Sequence, residues 1–297
     1  MARGPLRRST TAVAADLGLY RYGAADPTTR LNEHEFWRAT LTPDGPGTLH
    51  LDWHDGVIRA DSWGPGAQWL LDGVPALTGA LDPGHSFTHA HARILRAQHF
   101  HDVRFGASRT LYHELLPTVL GQRITAGEAF TQWHRLVRAV GAPAPGPSIG
   151  LLLPPSPDEL LRRPTWWFHP LGIEARRADA LRTVARHADR IGEWAGGDAA
   201  HAAEHLGLLP GIGPWTIGSV LGHAMADTDA IAIGDFHLKH LVAHALTGRP
   251  RGTDDEMRQT LEPYRGQRGR VVRLLHLSGL RAPAFGPRQR VLDMTGW

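Results

Sequence analysis

The chain has 297 residues, 42% of them apolar and 21% charged, which is enough for a folded core in one large domain or two smaller ones. It has no cysteine, which excludes disulfides, thiolate catalysis, iron–sulfur clusters and cysteine-based zinc sites. The net charge is only +3, and Lys239 is the sole lysine, so Arg carries nearly all the positive charge. Arg-rich coding bias accounts for most of that, although Arg also grips phosphates well. The longest apolar runs, such as 149–155, are too short to cross a bilayer. No apolar stretch of signal-peptide length follows Arg3, Arg7 and Arg8, so a cytoplasmic location is expected.

Residues 1–30 are polar and rich in Arg and Thr, which predicts a loose tail and a first strand. FWRATLT (36–42) and TLHLDWH (48–54) read as two strands around the turn DGPG, and Val57–Trp63 reads as a third. A short helix and its exit follow over 64–79, so residues 1–85 are expected as a small antiparallel α+β domain. Residues 86–297 read as all-helical, with helices over 89–101, 110–120, 126–140, 157–162, 174–194, 198–208, 215–226, 236–246, 254–262 and 269–279, then an irregular tail over 282–297. The connector APAPGPSIGLLLPPSP (142–157) is too apolar for a free linker and is expected to pack across the helices. The fold class is therefore α+β overall, mostly helical.

Chemistry concentrates in residues 206–238. Leu209-Pro210-Gly211-Ile212-Gly213 ends one helix, and Pro214 opens the next. Proline suits a first helical turn, and glycine permits backbone angles that other residues resist. The N–H groups of Gly211, Gly213 and Trp215 can face outward at a helix N-terminus, a ready phosphate site, with Ile212 as the buried anchor. A bare Gly-x-Gly is also an ordinary helix–turn–helix corner, but LPGIGPWT is a far more specific string.

LLPGIGPWT (208–216), followed by Asp235, resembles the helix-hairpin-helix signature of the base-excision DNA glycosylase superfamily. Within it, the chain is most similar to the bacterial 3-methyladenine DNA glycosylases of the inducible alkylbase type. LLPTVLGQRIT (115–125), LGIEARRADALRTVA (171–185) and PYRGQR (263–268) resemble further motifs of that branch, so the likeness spans most of 85–280. It implies a helical glycosylase core behind a small antiparallel sheet domain. It also implies a monomer acting on double-stranded DNA with damaged bases, at the nucleoid and not at a membrane. Backbone amides of Gly211, Ile212 and Gly213 would hold a DNA phosphate. The carbonyls of Gly207, Leu209 and Ile212 match positions that hold a monovalent cation in relatives; no other cofactor is implied.

Asp235 has two compatible readings. Asp is a favoured helix cap, and the helix dipole favours a carboxylate there. By the resemblance it is also the catalytic carboxylate, because cleavage of an N-glycosidic bond develops oxocarbenium charge that a fixed anion stabilises. Relatives that also cut the strand carry a lysine in the second hairpin helix, where this chain has Trp215. Lys239 does not match that position, so a monofunctional enzyme is expected, with Trp215 and Ser219 in the base pocket.

The family places its side chain that fills the flipped base's gap in the loop holding Gln122 and Arg123, which are assigned jointly; Gln122 could instead be a helix-capping amide. Aromatics that sandwich the base in well-known members are missing. Ser219 stands one turn after Trp215, and the later aromatic aligns with Arg273 or Ser278, leaving Trp166, Trp167 and Phe168 as substitutes. That leaves the base itself open: an alkylated purine first, with hypoxanthine, uracil or oxidised guanine as alternatives. A DNA-binding protein without chemistry is the different-class alternative. His237, His240 and His244 share a helix face but are more simply chance among 19 histidines than a zinc site. Arg265, Arg268, Arg270 and Arg273 are expected as a solvated or phosphate-facing helix start.

Overall fold

A computed structural model describes residues 10–54, 57–100, 102–147 and 149–283. Strands β1 (Thr29–Leu31), β2 (Glu35–Thr42), β3 (Gly45–Asp52) and β4 (Arg59–Trp63) form an antiparallel meander in that order. Strand alternation explains its two buried faces. Phe36, Leu49 and Leu51 pack with Trp53 against Val13 and Leu17 of α1 (Thr10–Leu17) and Leu70 and Leu77 of α2 (Ala67–Leu77). Trp37, Ala39 and Leu41 are covered by Leu151 and Leu153.

Two expectations change here. Within the predicted loose tail, residues 10–17 form α1, because Val13 and Leu17, one turn apart, bury onto the sheet; residues 1–9 lie outside the described residues. The connector does not simply cross the helices. It turns back on itself at a Pro143–Leu152 bridge and lays Leu151 and Leu153 on the sheet, while the Leu152 N–H donates to the Pro27 carbonyl and its side chain meets the helical core. The predicted tail at 282–297 lies almost wholly outside the described residues.

The helical core is built around α4 (Leu111–Leu120), buried at every residue but Tyr112, as a helix surrounded on all sides must be. Around it pack α5 (Ala126–Val140), α6 (Pro157–Leu161), α7 (Ala175–Arg186), α8 (Ala188–Ala195), α9 (Ala199–Gly207) and α10 (Pro214–Ala224). The single helix expected over 174–194 is two. His187 Nδ1 bonds the Thr183 carbonyl at 2.9 Å, competing for the acceptor that would continue the helix. A second cluster joins α3 (Ala92–Phe100), α11 (Leu238–Thr247), α12 (Asp254–Leu261) and α13 (Arg268–Leu277). Among the described residues no helix is long and apolar enough to cross a membrane.

A buried polar network also joins the sheet to the helical core. Arg38 of β2 donates to Glu114 of α4 at 2.5 Å, and both side chains are almost completely buried. His113 Nδ1 lies 3.1 Å from Arg38 and 3.0 Å from the Thr40 hydroxyl, and Tyr22 donates to Glu114 at 2.9 Å. Burial, with the Arg38 charge beside it, holds the His113 pKa well below the ordinary imidazole value, so this ring is neutral. Removing one partner of such a pair strands the other charge. Arg38→Met is expected to lower unfolding stability by about 3–5 kcal/mol in denaturant melts. Converting both Arg38 and Glu114 to apolar residues should recover much of that loss.

Candidate active site

The hairpin between α9 and α10 is seated by two buried side chains, Leu209 and Ile212. Gly211 takes φ +88°, and a Cβ there would lie 2.8 Å from the Ala180 Cβ of α7. Only glycine allows both the left-handed turn and the approach to α7. Gly213 precedes Pro214 at the first position of α10, and a Cβ on it would meet nothing within 4 Å. The Gly211 and Gly213 N–H groups have no partner among the described residues, and Trp215 lies in the first helical turn, where N–H groups lack an intrahelical acceptor. These are the donors the sequence places on a phosphate. Among the described residues the carbonyls of Gly207 and Ile212 accept no hydrogen bond and that of Leu209 accepts one, from Ile212, so the three retain the lone pairs a monovalent cation would need.

Asp235 is joined to the hairpin directly. Its Oδ2 accepts the Trp215 indole N–H at 3.1 Å, and its Oδ1 accepts the backbone N–H groups of His237 and Leu238, each at 2.8 Å. The expected helix start at Phe236 is thus slightly early: α11 opens at Leu238, and the carboxylate caps it from three residues upstream. Each carboxylate oxygen offers two lone pairs, so Oδ1 is filled and Oδ2 keeps one free. Gly234, at φ +90°, aims the turn, and its N–H donates to Asp254 Oδ1 at 2.9 Å. Lys239 closes the brace on Asp254 Oδ2 at 3.1 Å. Burial raises the Asp254 pKa, but the Gly234 N–H and the Lys239 ammonium outweigh it and hold the carboxyl below its usual range. The only lysine therefore has a structural partner.

Gln122 and Arg123, assigned jointly from the sequence, have different surroundings. The Gln122 amide donates to the Gly211 carbonyl at 2.8 Å and the Thr216 hydroxyl at 3.0 Å, tying its loop to the hairpin. Arg123 is exposed, has φ +62°, and makes no hydrogen bond or ion pair with the described residues. Left-handed backbone at a non-glycine residue costs about 1 kcal/mol or more. Beneath the loop, buried Arg177 of α7 donates to the Leu120 carbonyl at 2.9 Å and Gln132 Oε1 at 2.6 Å. Sequence reading missed this clamp, because Arg177 sits in a helix whose pattern looks solvent-facing.

A cavity of about 260 Å³ opens between α10 and α13, lined by Phe105, Gly222, His223, Arg273 and His276 among others. Trp215, Ser219 and His223 follow one another at single-turn spacing along α10, but of the three only His223 lines this cavity, and Asp235 does not line it either. Ser219 bonds back to the Trp215 carbonyl at 2.7 Å. Although His276 has an exposed edge, burial lowers its pKa, opposed by the Asp235 charge, and Arg273 lowers it further. A larger cleft, about 680 Å³, is lined by residues such as Asp16, His85 and His99 and contains neither hairpin residues nor Trp215 or Asp235.

Several expectations fail at this cavity. Trp166, Trp167 and Phe168 do not line it: they lie on a 3-10 turn, with Phe168 buried in the helical core, Trp167 under Arg163 at 4.7 Å, and Trp166 exposed. The aromatic present is Phe105, from a loop that no motif marked. Arg273 lines the cavity, whereas Ser278 ends α13. The Arg run is divided: Arg265 is solvated and pairs with exposed Glu262, whereas Arg268 pairs with Asp229, buried Arg270 with Asp82 and Arg273 with Asp16, so the last two are turned into the fold. His240 of the histidine-bearing helix face accepts from the Gly252 N–H and lies 3.3 Å from Arg251. The two hairpin glycines give a direct check. Gly211→Ala is expected to lower stability by about 1–3 kcal/mol, against less than about 0.5 kcal/mol for Gly213→Ala, in thermal or denaturant melts.

No protein-family model matches the chain, and no curated protein matches it in sequence. Solved structures do match its fold. The 3-methyladenine DNA glycosylase of Archaeoglobus fulgidus superposes with a TM-score of 0.69 at 14% identity, over 89% of this chain and 93% of that one. The 8-oxoguanine glycosylase/lyase of Clostridium acetobutylicum, in complex with double-stranded DNA, gives 0.61 at 11% identity, over 86% and 88%. The 3-methyladenine DNA glycosylase of Schizosaccharomyces pombe, in complex with abasic DNA, gives 0.51 at 17% identity, over 65% and 93%. The chain has the α+β fold of the helix-hairpin-helix DNA glycosylases.

Proposed function

We propose that the protein is a monofunctional DNA glycosylase that hydrolyses the N-glycosidic bond of a flipped-out alkylated purine and leaves an abasic site. The observation that carries this reading is the placement of Asp235, held by three N–H donors, one of them from Trp215 in the first turn after the hairpin. In the proposed step the C1′–N bond breaks and the base leaves with the bonding electrons. A base already carrying an alkyl group's positive charge departs neutral and needs no proton donor. The Asp235 carboxylate faces the oxocarbenium charge that develops on the sugar, and its free lone pair on Oδ2 can orient the attacking water, whose oxygen becomes the new C1′ hydroxyl as its extra proton passes to that carboxylate oxygen and on to solvent. The hairpin N–H groups would hold a backbone phosphate near the target, and a cation on the Gly207, Leu209 and Ile212 carbonyls would add positive charge beside it. Arg123, exposed at the tip of its loop, is the better placed of the assigned pair to fill the vacated space, while Gln122 sets the loop against the hairpin.

The absence of strand cleavage rests on Trp215 at the position of the lyase lysine and on Lys239 being paired with Asp254. A neutral damaged base is the second reading. The observation favouring it is a cavity with one aromatic, Phe105, and the cationic Arg273, a poor setting for stacking a cationic base.

The reading is tested by incubating duplexes that carry single lesions and comparing mild alkali with no treatment. Alkylated-purine duplexes should yield strand breaks only after alkali, and Asp235→Asn should bind them as tightly as the parent while releasing no base. Breaks without alkali would contradict the monofunctional assignment. Undiminished base release by Asp235→Asn would contradict the mechanism.

A further inference from the structure

His223 connects the cavity to the buried polar network that joins the sheet to the helices. His223 is among the residues that line the cavity, and its side chain is 14% exposed. Nε2 lies 3.2 Å from the Tyr22 hydroxyl and 3.7 Å from Glu114 Oε2. Nδ1 has no partner among the described residues.

The network settles which ring nitrogen bears the proton. Glu114 is paired with Arg38 and accepts the Tyr22 O–H at 2.9 Å. Burial, then the Glu114 charge, drives the Tyr22 pKa far above the ordinary phenol value, so its proton stays on and points at Glu114. The Tyr22 oxygen can then only accept from His223, which places the His223 proton on Nε2. The charged groups around the ring are Glu114 on α4, Arg38 on β2 and Arg273 on α13. Burial lowers the His223 pKa, Glu114 opposes it, and the two arginines lower it again, with a net depression. The ring is thus neutral at pH 7, and Nδ1 offers a bare lone pair to whatever fills the cavity.

We propose that His223 reads the flipped base, accepting through Nδ1 a hydrogen bond from an N–H donor on the base, with Tyr22 and Glu114 as positioning residues that fix its tautomer. This rests on the base-excision reading and deepens it by naming a substrate class: bases that present an exocyclic amine or a ring N–H to this wall. A base whose amine is sealed into a ring would leave Nδ1 buried and unpaired, and a site that accepts a donor rejects an analogue lacking it. Cationic alkylated adenines have acidified amines, which are strong donors, so this contact supplies a recognition route without a second stacking aromatic.

The test is equilibrium binding, read by fluorescence anisotropy, to four duplexes. Two carry 2′-fluorinated lesion nucleotides whose glycosidic bond resists cleavage: 3-deaza-3-methyladenine, which keeps its amine, and 1,N6-ethenoadenine, which has no N–H. The others carry an abasic-site analogue or no lesion. The parent is expected to prefer the amine-bearing lesion by about 10-fold over the ethenoadenine. His223→Phe and Tyr22→Phe should each shrink that preference to within about twofold while binding the abasic duplex as the parent does. Preference surviving in both variants would overturn the role of His223 and leave the base-excision reading standing. Loss of abasic-duplex binding in both would reduce the network to a structural one and overturn it too. A parent that binds neither lesion better than undamaged duplex would contradict the base-excision reading itself, and this role with it.

Discussion

The hydrogen bond from the Trp215 indole to Asp235 is the contact on which the site depends. Trp215 stands in the first turn of α10, immediately after the hairpin, so the groups that would grip a phosphate and the donor that fixes the carboxylate belong to one rigid element. The opposite side is held independently, by the amides of His237 and Leu238 and by the Gly234–Asp254–Lys239 brace. In the proposed mechanism the carboxylate must be held to within a fraction of an ångström, and it is anchored from two sides.

The arginines serve the fold before they serve any ligand. Arg38, Arg177 and Arg270 are buried, each donating to carbonyl or carboxylate oxygens inside the protein, and Arg268 and Arg273 pair with aspartates. Polar contacts of this kind are directional, so they set the register of sheet against helices and of α13 against its neighbours more sharply than apolar packing alone. In the proposed reading a nucleic acid would therefore be gripped by uncharged backbone N–H groups at the hairpin, with Arg123 as an exposed cation nearby.

Much of this was legible in the sequence where the signal is local. The meander followed from alternation and a Gly/Pro turn, and Gly211 from the backbone angle and close approach that only glycine permits. Asp235 was marked as a cap and as chemistry; its capping bonds are present, from a position slightly before the helix. What escaped was long-range. Nothing near Arg270 announces Asp82, 188 residues away, so a buried ion pair looked like a basic surface. Phe105 enters the cavity from an unremarked loop, and His223 acquires its meaning from Tyr22, 201 residues earlier. The break at His187 escaped for another reason: a side chain competing for a backbone carbonyl leaves no trace in hydrophobic periodicity.

The central claim is that Trp215 acts on the reaction through Asp235, beyond any part it has in packing. Trp215→Phe keeps an aromatic ring and removes the indole donor, so single-turnover base release on a lesion duplex isolates the hydrogen bond. The account predicts a rate lower by on the order of 10- to 100-fold, with duplex affinity within about twofold of the parent. An unchanged rate would contradict it.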